Sequence, residues 1–169
     1  MSALTLKPIG YIRSEHQIPE NTPIQSVFAR GCAGRVELLP QYVDGLKSIE
    51  GFSHIYLLYW LHKANLAEMI VKPFLQDCEH GIFATRFPHR PNPIGMSIVR
   101  FVKKEGATVW VNDVDILDGT PLLDIKPYST SFDCFPGCRN GWYSDIDQET
   151  AQKLGKRGYV NNFKKDIEQ

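Results

Sequence analysis

GMSIVRFVKKEGATVWVNDVDIL, residues 95–117, is the stretch on which the reading of the fold turns. Residues 95–103 and 108–117 are both rich in β-branched and aromatic side chains, and the connection Lys104-Glu105-Gly106-Ala107 carries a turn glycine. Two such runs across so short a link predict a hairpin. Val109 and Val111 are out of phase with Val114 and Ile116, so a bulge is expected near Asn112-Asp113.

Working outward, the same kind of signal recurs. Residues 82–85 read as a further short strand. Residues 52–60, with Ile55, Tyr56, Leu57, Leu58, Tyr59 and Trp60, read as a strand buried on both faces. Residues 34–39 give another, and residues 4–13, broken at Pro8, give a first or edge strand. Between them Tyr42, Val43, Leu46 and Ile49 recur at helical spacing behind Pro40, which predicts a short helix over residues 40–49. Many strands and little helix define a mainly β chain, an antiparallel β-barrel with short peripheral helices. There is no strand–helix alternation of the doubly wound kind and no G-x-G-x-x-G after a strand, so a Rossmann cofactor site is not supported.

Composition bounds the function. With 169 residues, 43% hydrophobic and 22% charged, the chain has the makings of one ordinary globular unit. Its 19 Lys+Arg balance 19 Asp+Glu, which excludes bulk positive charge as the means of holding nucleic acid, so any such contact must be local. The longest apolar run, residues 55–61, is far short of the roughly 20 residues of a membrane-spanning helix. A cytoplasmic protein is expected. Cys32, Cys78, Cys134 and Cys138 are few and irregularly spaced, which favours reduced thiols, and no metal site is expected.

Charge is nonetheless uneven. Arg86, Arg90, Arg100, Lys103 and Lys104 fall in one stretch without an acid, while residues 105–149 hold nine acids against Lys126 and Arg139. Lys153, Lys156, Arg157, Lys164 and Lys165 make the tail basic again, and these two segments are where a phosphate backbone could dock. The first contains Arg86-Phe87-Pro88-His89-Arg90-Pro91-Asn92-Pro93-Ile94-Gly95-Met96. Its three prolines fix their own φ and push Phe87, Arg90 and Asn92 into extended geometry, giving a stiff loop able to present guanidinium and amide groups with little entropic loss. A second segment, Asp118-Gly119-Thr120-Pro121-Leu122-Leu123-Asp124-Ile125-Lys126-Pro127-Tyr128, opens on a turn signal. It continues with Asp124, Lys126 and Tyr128 on one face of a half-exposed strand. From the residues alone, a proline-braced crossing and a surface Asp124–Lys126 pair explain both segments as well as a ligand site does.

FATRFPHRPNPIGMS followed by DGTPLLDIKPY closely resembles the paired signatures of the TsaA-like, or tRNA methyltransferase O, family. IGYIRS, Pro23-x-Gln25 and GFSHIYLLYWLHK also fall where that family has counterparts. The likeness runs from about Ile9 to Tyr128. It implies an antiparallel barrel, a homodimer, S-adenosylmethionine bound without a Rossmann fold, and methylation of the exocyclic nitrogen of N-threonylcarbamoyladenosine beside the tRNA anticodon. Carried over by motif, the cofactor would meet Pro23, Ile24, Gln25, His62, Lys63, Arg86, Met96, Ile116, Leu117, Asp118 and Gly119. Met96, Ile116 and Leu117 would offer the adenine an apolar slot, and Arg86 or Lys63 would take the methionyl carboxylate. Ile24 stands where related sequences often carry Arg. Larger members have a C-terminal domain after the barrel. Here residues 1–130 are expected to form the barrel domain and residues 131–169 an extension that packs on it or trails from it.

Methyl transfer from a sulfonium is an in-line displacement that needs alignment and exclusion of water, and an acceptor nitrogen in a urea-like linkage gains from early loss of its proton. Asp118 is the first candidate base and Asp124 the second. Arg90 and Asn92 would hold an RNA phosphate or the threonyl carboxylate, with Lys126 and Tyr128 completing the substrate side. Trp142 and Tyr143, among the turn residues 135–143, are expected to plug the barrel in preference to stacking on a base. The competing readings are a barrel of the same kind with a small-molecule acceptor, and a ligand- or RNA-binding module without turnover.

Overall fold

The hairpin expected from residues 95–117 lies within a closed sheet as far as Asn112. The computed structural model describes residues 5–157. Its strands are β1 (Gly10–Ser14), β2 (Ala33–Leu38), β3 (His54–Trp60), β4 (Ile70–Val71), β5 (His80–Gly81), β6 (Ile94–Glu105), β7 (Thr108–Asn112) and β8 (Thr120–Pro127). Six of them close a barrel in the order β1-β2-β7-β6-β3-β8, every neighbouring pair antiparallel, while β4 and β5 form a separate small ribbon. Gly106, at φ +58°, is the first residue of the two-residue turn between β6 and β7, where a right-twisted hairpin requires the left-handed conformation.

Strand alternation explains the core. Ile12, Val36, Ile55, Leu57, Val99, Val109, Val111 and Leu122 point inward from six strands and are almost wholly buried. Each such side chain contributes roughly 1.5–3 kcal/mol through burial. The prediction that residues 52–60 are buried on both faces is corrected. Ile55, Leu57 and Tyr59 are buried, but Tyr56 and Leu58 are half-buried and Trp60 is exposed, because among the described residues no helix layer covers that side of the antiparallel barrel.

Several boundaries also differ. The first strand begins at Gly10, not at residue 4, which lies outside the described residues, although Ile9 N–H still donates to Leu122 O (2.8 Å). The expected helix over 40–49 is a 3₁₀ segment, Pro40–Leu46, followed by a second turn, Ile49–Gly51. Residues 82–85 are not a strand but a 3₁₀ turn, Ile82–Ala84. The run 108–117 leaves the sheet after Asn112, where Asp113 takes φ +67°. That break accounts for the phase change of the valines, and the bulge sits on the partner strand, between Phe101 and Lys103. After the barrel come a short helix α1 (Thr130–Asp133), a 3₁₀ turn and helix α2 (Gln148–Gly155). Asp147 caps α2 by accepting from Thr150 N–H (2.9 Å).

Candidate active site at the barrel rim

Where β3 ends and β6 begins, the apolar interior gives way to polar groups. The barrier to a side chain at position 95 is steric: a Cβ there would overlap Cε2 of Tyr59, so only glycine lets the Tyr59 ring lie across β6. The ring directs its hydroxyl to Ser97 Oγ (3.0 Å), and both residues are buried. Asp115 approaches the same place from the segment between β7 and β8. As a residue it is half-buried, yet its Oδ1 is cut off from solvent and has no hydrogen-bond partner. Burial pushes its carboxyl up to about 6, against the opposing influence of the Ser97 hydroxyl, its own backbone, the Arg86 guanidinium and the Ser26 backbone. Tyr59 is pushed well up by burial and by the Asp115 charge.

Arg86 is exposed and held at this rim by Gln25, whose Oε1 accepts from Nη1 at 2.5 Å. Its positive charge reaches Tyr56, Tyr59 and Asp115 alike. Gln25 is fixed in turn, its Nε2 donating to Ile24 O (2.6 Å), while Ile24 N–H donates to Gly155 O (2.9 Å) at the end of α2. Pro23 is buried beside them. His62 Nδ1 lies 3.4 Å from Thr120 Oγ1, which donates to Leu117 O (2.7 Å). Burial, with the neighbouring charge of exposed Lys63, lowers the His62 pKa and so favours the neutral ring.

The motif residues are therefore not all equivalent. Gln25 and Arg86 touch, and His62 meets the Leu117–Thr120 turn, in which Gly119 takes φ +74°. Ile116, by contrast, is a core residue, and its carbonyl accepts from Ser14 Oγ (2.5 Å). Met96 is on the other face of β6 from Ser97, 44% exposed and paired across the strands with Leu58. Met96 and Ile116 thus do not share one apolar slot within a single chain. Asp118 accepts from Ser14 N–H (3.1 Å) and borders a hollow of about 610 Å³ lined also by Arg13, Gly34, Arg35, Glu37 and Trp110. Glu37 is held below the usual carboxylate range there by hydrogen bonding to Arg13 and also to Arg35. Asp124 accepts from Ile125 N–H (2.9 Å), pairs with Lys126 (2.8 Å) and borders a different groove, beside Leu46 and Ile49. Neither concavity includes Gln25, His62, Arg86 or Asp115.

Lys126 is six residues along β8 from Thr120, about 20 Å at strand rise. Tyr128 follows it and packs on Tyr56 (5.8 Å) and His54 (6.3 Å). In the proline loop, Arg90 Nη1 donates to Ile82 O (3.1 Å), Thr85 O (2.8 Å) and Phe87 O (3.4 Å), so it ties the loop to the preceding turn, while Asn92 is exposed. Trp142 does not plug the barrel. Its ring stacks on His80 (4.8 Å) and Tyr143 (3.9 Å), and Nε1 donates to Ala84 O (2.8 Å), outside the sheet. Of the basic tail, Lys153, Lys156 and Arg157 are described, and Arg157 donates to Pro19 O (2.8 Å). Lys164 and Lys165 lie outside the described residues. Sequence reasoning missed Asp115, Ser97 and Tyr59. The available signal was slight: a carboxylate set between Val114 and Ile116, in a stretch that also holds Asp113 and Asp118.

A closed antiparallel barrel with a polar rim built from a Pro-x-Gln loop, a proline-braced arginine and an Asp-Gly turn defines the class. Residues 11–134 match the tRNA-methyltransferase O N-terminal domain, and the chain belongs to that family. A Pyrococcus abyssi protein named "Probable S-adenosyl-L-methionine-binding protein" is 50% identical over 150 residues, covering 89% of this chain and 79% of the relative. A mouse (Mus musculus) tRNA (adenine(37)-N6)-methyltransferase is 37% identical over 137 residues, 77% of this chain and 32% of that protein. A crystal structure of TrmO superposes with a TM-score of 0.71 at 42% identity, covering 83% of this chain and 64% of the TrmO chain. The chain thus spans less than two thirds of the TrmO chain and about a third of the mouse enzyme.

Proposed function

We propose that the chain is an S-adenosylmethionine-dependent tRNA methyltransferase that modifies the exocyclic N6 of an adenosine beside the anticodon, with N-threonylcarbamoyladenosine as the acceptor. The observation that carries this reading is the gathering of Gln25, Arg86 and the partnerless Asp115 oxygen at one barrel rim in a member of this family. The rim suits the cofactor chemically: Arg86 offers a cation to a carboxylate, Asp115 Oδ1 is an unused acceptor, and Leu117 beside neutral His62 supplies apolar surface. When bound, S-adenosylmethionine supplies an activated methyl group on a positively charged sulfur.

The chain's own residues then have distinct tasks. Pro23, Ile24 and Gln25 form one wall and hold Arg86 in orientation. His62, Lys63 and the Ile116–Gly119 turn form the other. Asp118 takes the proton from the acceptor nitrogen, with Ser14 N–H fixing its rotamer. Asp124 is the weaker candidate, being paired with Lys126 and six residues farther along the chain. Arg90 braces the loop that presents Asn92 to the RNA, and Lys126 and Tyr128 extend contact to more distant nucleotides. Residues 1–130 act as the catalytic barrel and 131–169 as an extension that packs on it or trails from it, with Gly155 O, in its described part, accepting from Ile24 N–H.

The protein works as a cytoplasmic homodimer. The outer face of β3 and β6 presents the cross-strand pairs Trp60–Ile94, Leu58–Met96 and Tyr56–Ile98, an apolar surface of the kind a second copy covers. Met96 then faces the other subunit, which reconciles its motif position with its outward direction. The decisive experiment is nucleoside mass spectrometry of tRNA incubated with protein and S-adenosylmethionine. Loss of N-threonylcarbamoyladenosine and gain of its methylated form are expected. Unchanged nucleosides from protein that binds the cofactor would support the second reading, binding without transfer, which the name of the Pyrococcus relative favours.

A further inference from the structure

Among the described residues, one buried side-chain oxygen lacks a partner, Asp115 Oδ1. A buried acceptor without a donor is unfavourable and calls for a reason. Asparagine at 115 would keep the volume and remove the charge. The position instead keeps a carboxylate within the electrostatic reach of one exposed guanidinium, Arg86, which is itself oriented by Gln25. An anion and a cation whose charges reach one another at a single rim are complementary to an α-amino acid head group, whose ammonium and carboxylate stand on one carbon.

We infer that Asp115 and Arg86 form a clamp for the amino-acid end of the cofactor, Asp115 Oδ1 accepting from the ammonium and Arg86 donating to the carboxylate. The inference rests on the proposed cofactor. It assigns to Asp115 a binding role independent of the base, Asp118. The groups that face Asp115 are Tyr59 from β3, Ser97 from β6, Arg86 from the proline loop and the Ser26 backbone from the turn after Gln25. Of these only Arg86 is charged near neutral pH. With the carboxyl raised to about 6, its ammonium-binding form is lost on mild acidification.

The test is calorimetric titration of wild type and Asp115→Asn with S-adenosylmethionine, S-adenosylhomocysteine and 5′-methylthioadenosine. The last keeps the adenosine and the thioether but lacks the amino-acid head group. The expected result is a loss of about 10- to 100-fold for the first two ligands, the range of a hydrogen bond to a charged group, with methylthioadenosine unchanged within about twofold. An equal loss for all three would mean a structural role, and no loss for S-adenosylhomocysteine would mean no contact. Either overturns the inference. A second measurement needs no variant: wild-type affinity for S-adenosylhomocysteine falls below pH 6 while that for methylthioadenosine stays level, and parallel curves refute the clamp. Failure of the wild type to bind any of the three at pH 7.5 overturns the proposed cofactor itself, and is thereby distinct from failure of the clamp.

Discussion

Replacing Asp115 by Asn should make the protein more stable at neutral pH. The carboxyl ionises near 3.8 in an unstructured chain and at about 6 in the fold. The folded protein therefore holds a proton on Asp115 between those values when the unfolded chain does not. The stabilisation that follows is fully present below pH 3.8 and disappears as the pH passes 6. At 1.36 kcal/mol per unit, the ionised carboxylate makes the fold at pH 7.5 about 3 kcal/mol less stable than it would be with the group neutral. Asparagine is neutral throughout and nearly isosteric. In urea titrations of wild type and variant at pH 4, 5, 6 and 7.5, the variant's advantage should grow across the window and level off at about 3 kcal/mol. For a chain of this size that corresponds to a melting temperature higher by about 6–12 °C. Other titrating groups are common to both proteins and cancel in the difference. A variant less stable at every pH, or a difference that does not vary with pH, would refute the placement of this carboxylate in a dry environment. A gain in stability together with loss of head-group binding would be the pattern of a residue retained for function.

Two further outcomes test the frame around the site. Gly95→Ala places a methyl against the Tyr59 ring and should destabilise the protein by about 1–3 kcal/mol in urea unfolding, and a neutral result would contradict the close approach of Tyr59 to β6. The double variant Leu58→Glu, Met96→Glu sets two charges opposite each other on the outer face of β3 and β6. It should sediment as a monomer at concentrations where the wild type is a dimer, with an unchanged far-ultraviolet circular dichroism spectrum. A variant that still dimerises, or a monomeric wild type, would rule out this face.

The strands that were legible are those in which local patterning and barrel geometry agree. The β-branched and aromatic content of residues 95–103 and 108–112, and the glycine turn at 106, needed no tertiary information. Residues 82–85 misled because Ile82 is buried beneath the following loop, so an apolar side chain there reports burial and not a strand. Residues 40–49 carried a helical spacing that a seven-residue 3₁₀ segment satisfies as well. Trp142 looked like a plug because a large aromatic ring seeks cover, and it found that cover on His80, a residue 62 positions away that no local pattern connects to it.

Chain chemistry by itself determined the class of fold and the identity of the motif residues, because strand periodicity, proline stiffness and glycine turns are properties of neighbouring residues. Which of those residues meet was decided only in three dimensions. Arg86 joins Gln25 across 61 positions, His62 joins Thr120 across 58, and Met96 turns away from Ile116 because successive side chains of a strand face opposite sides of the sheet. Asp115 shows the same division at a single atom. Its letter is visible in the sequence, but its want of a partner depends on closure of the barrel around it.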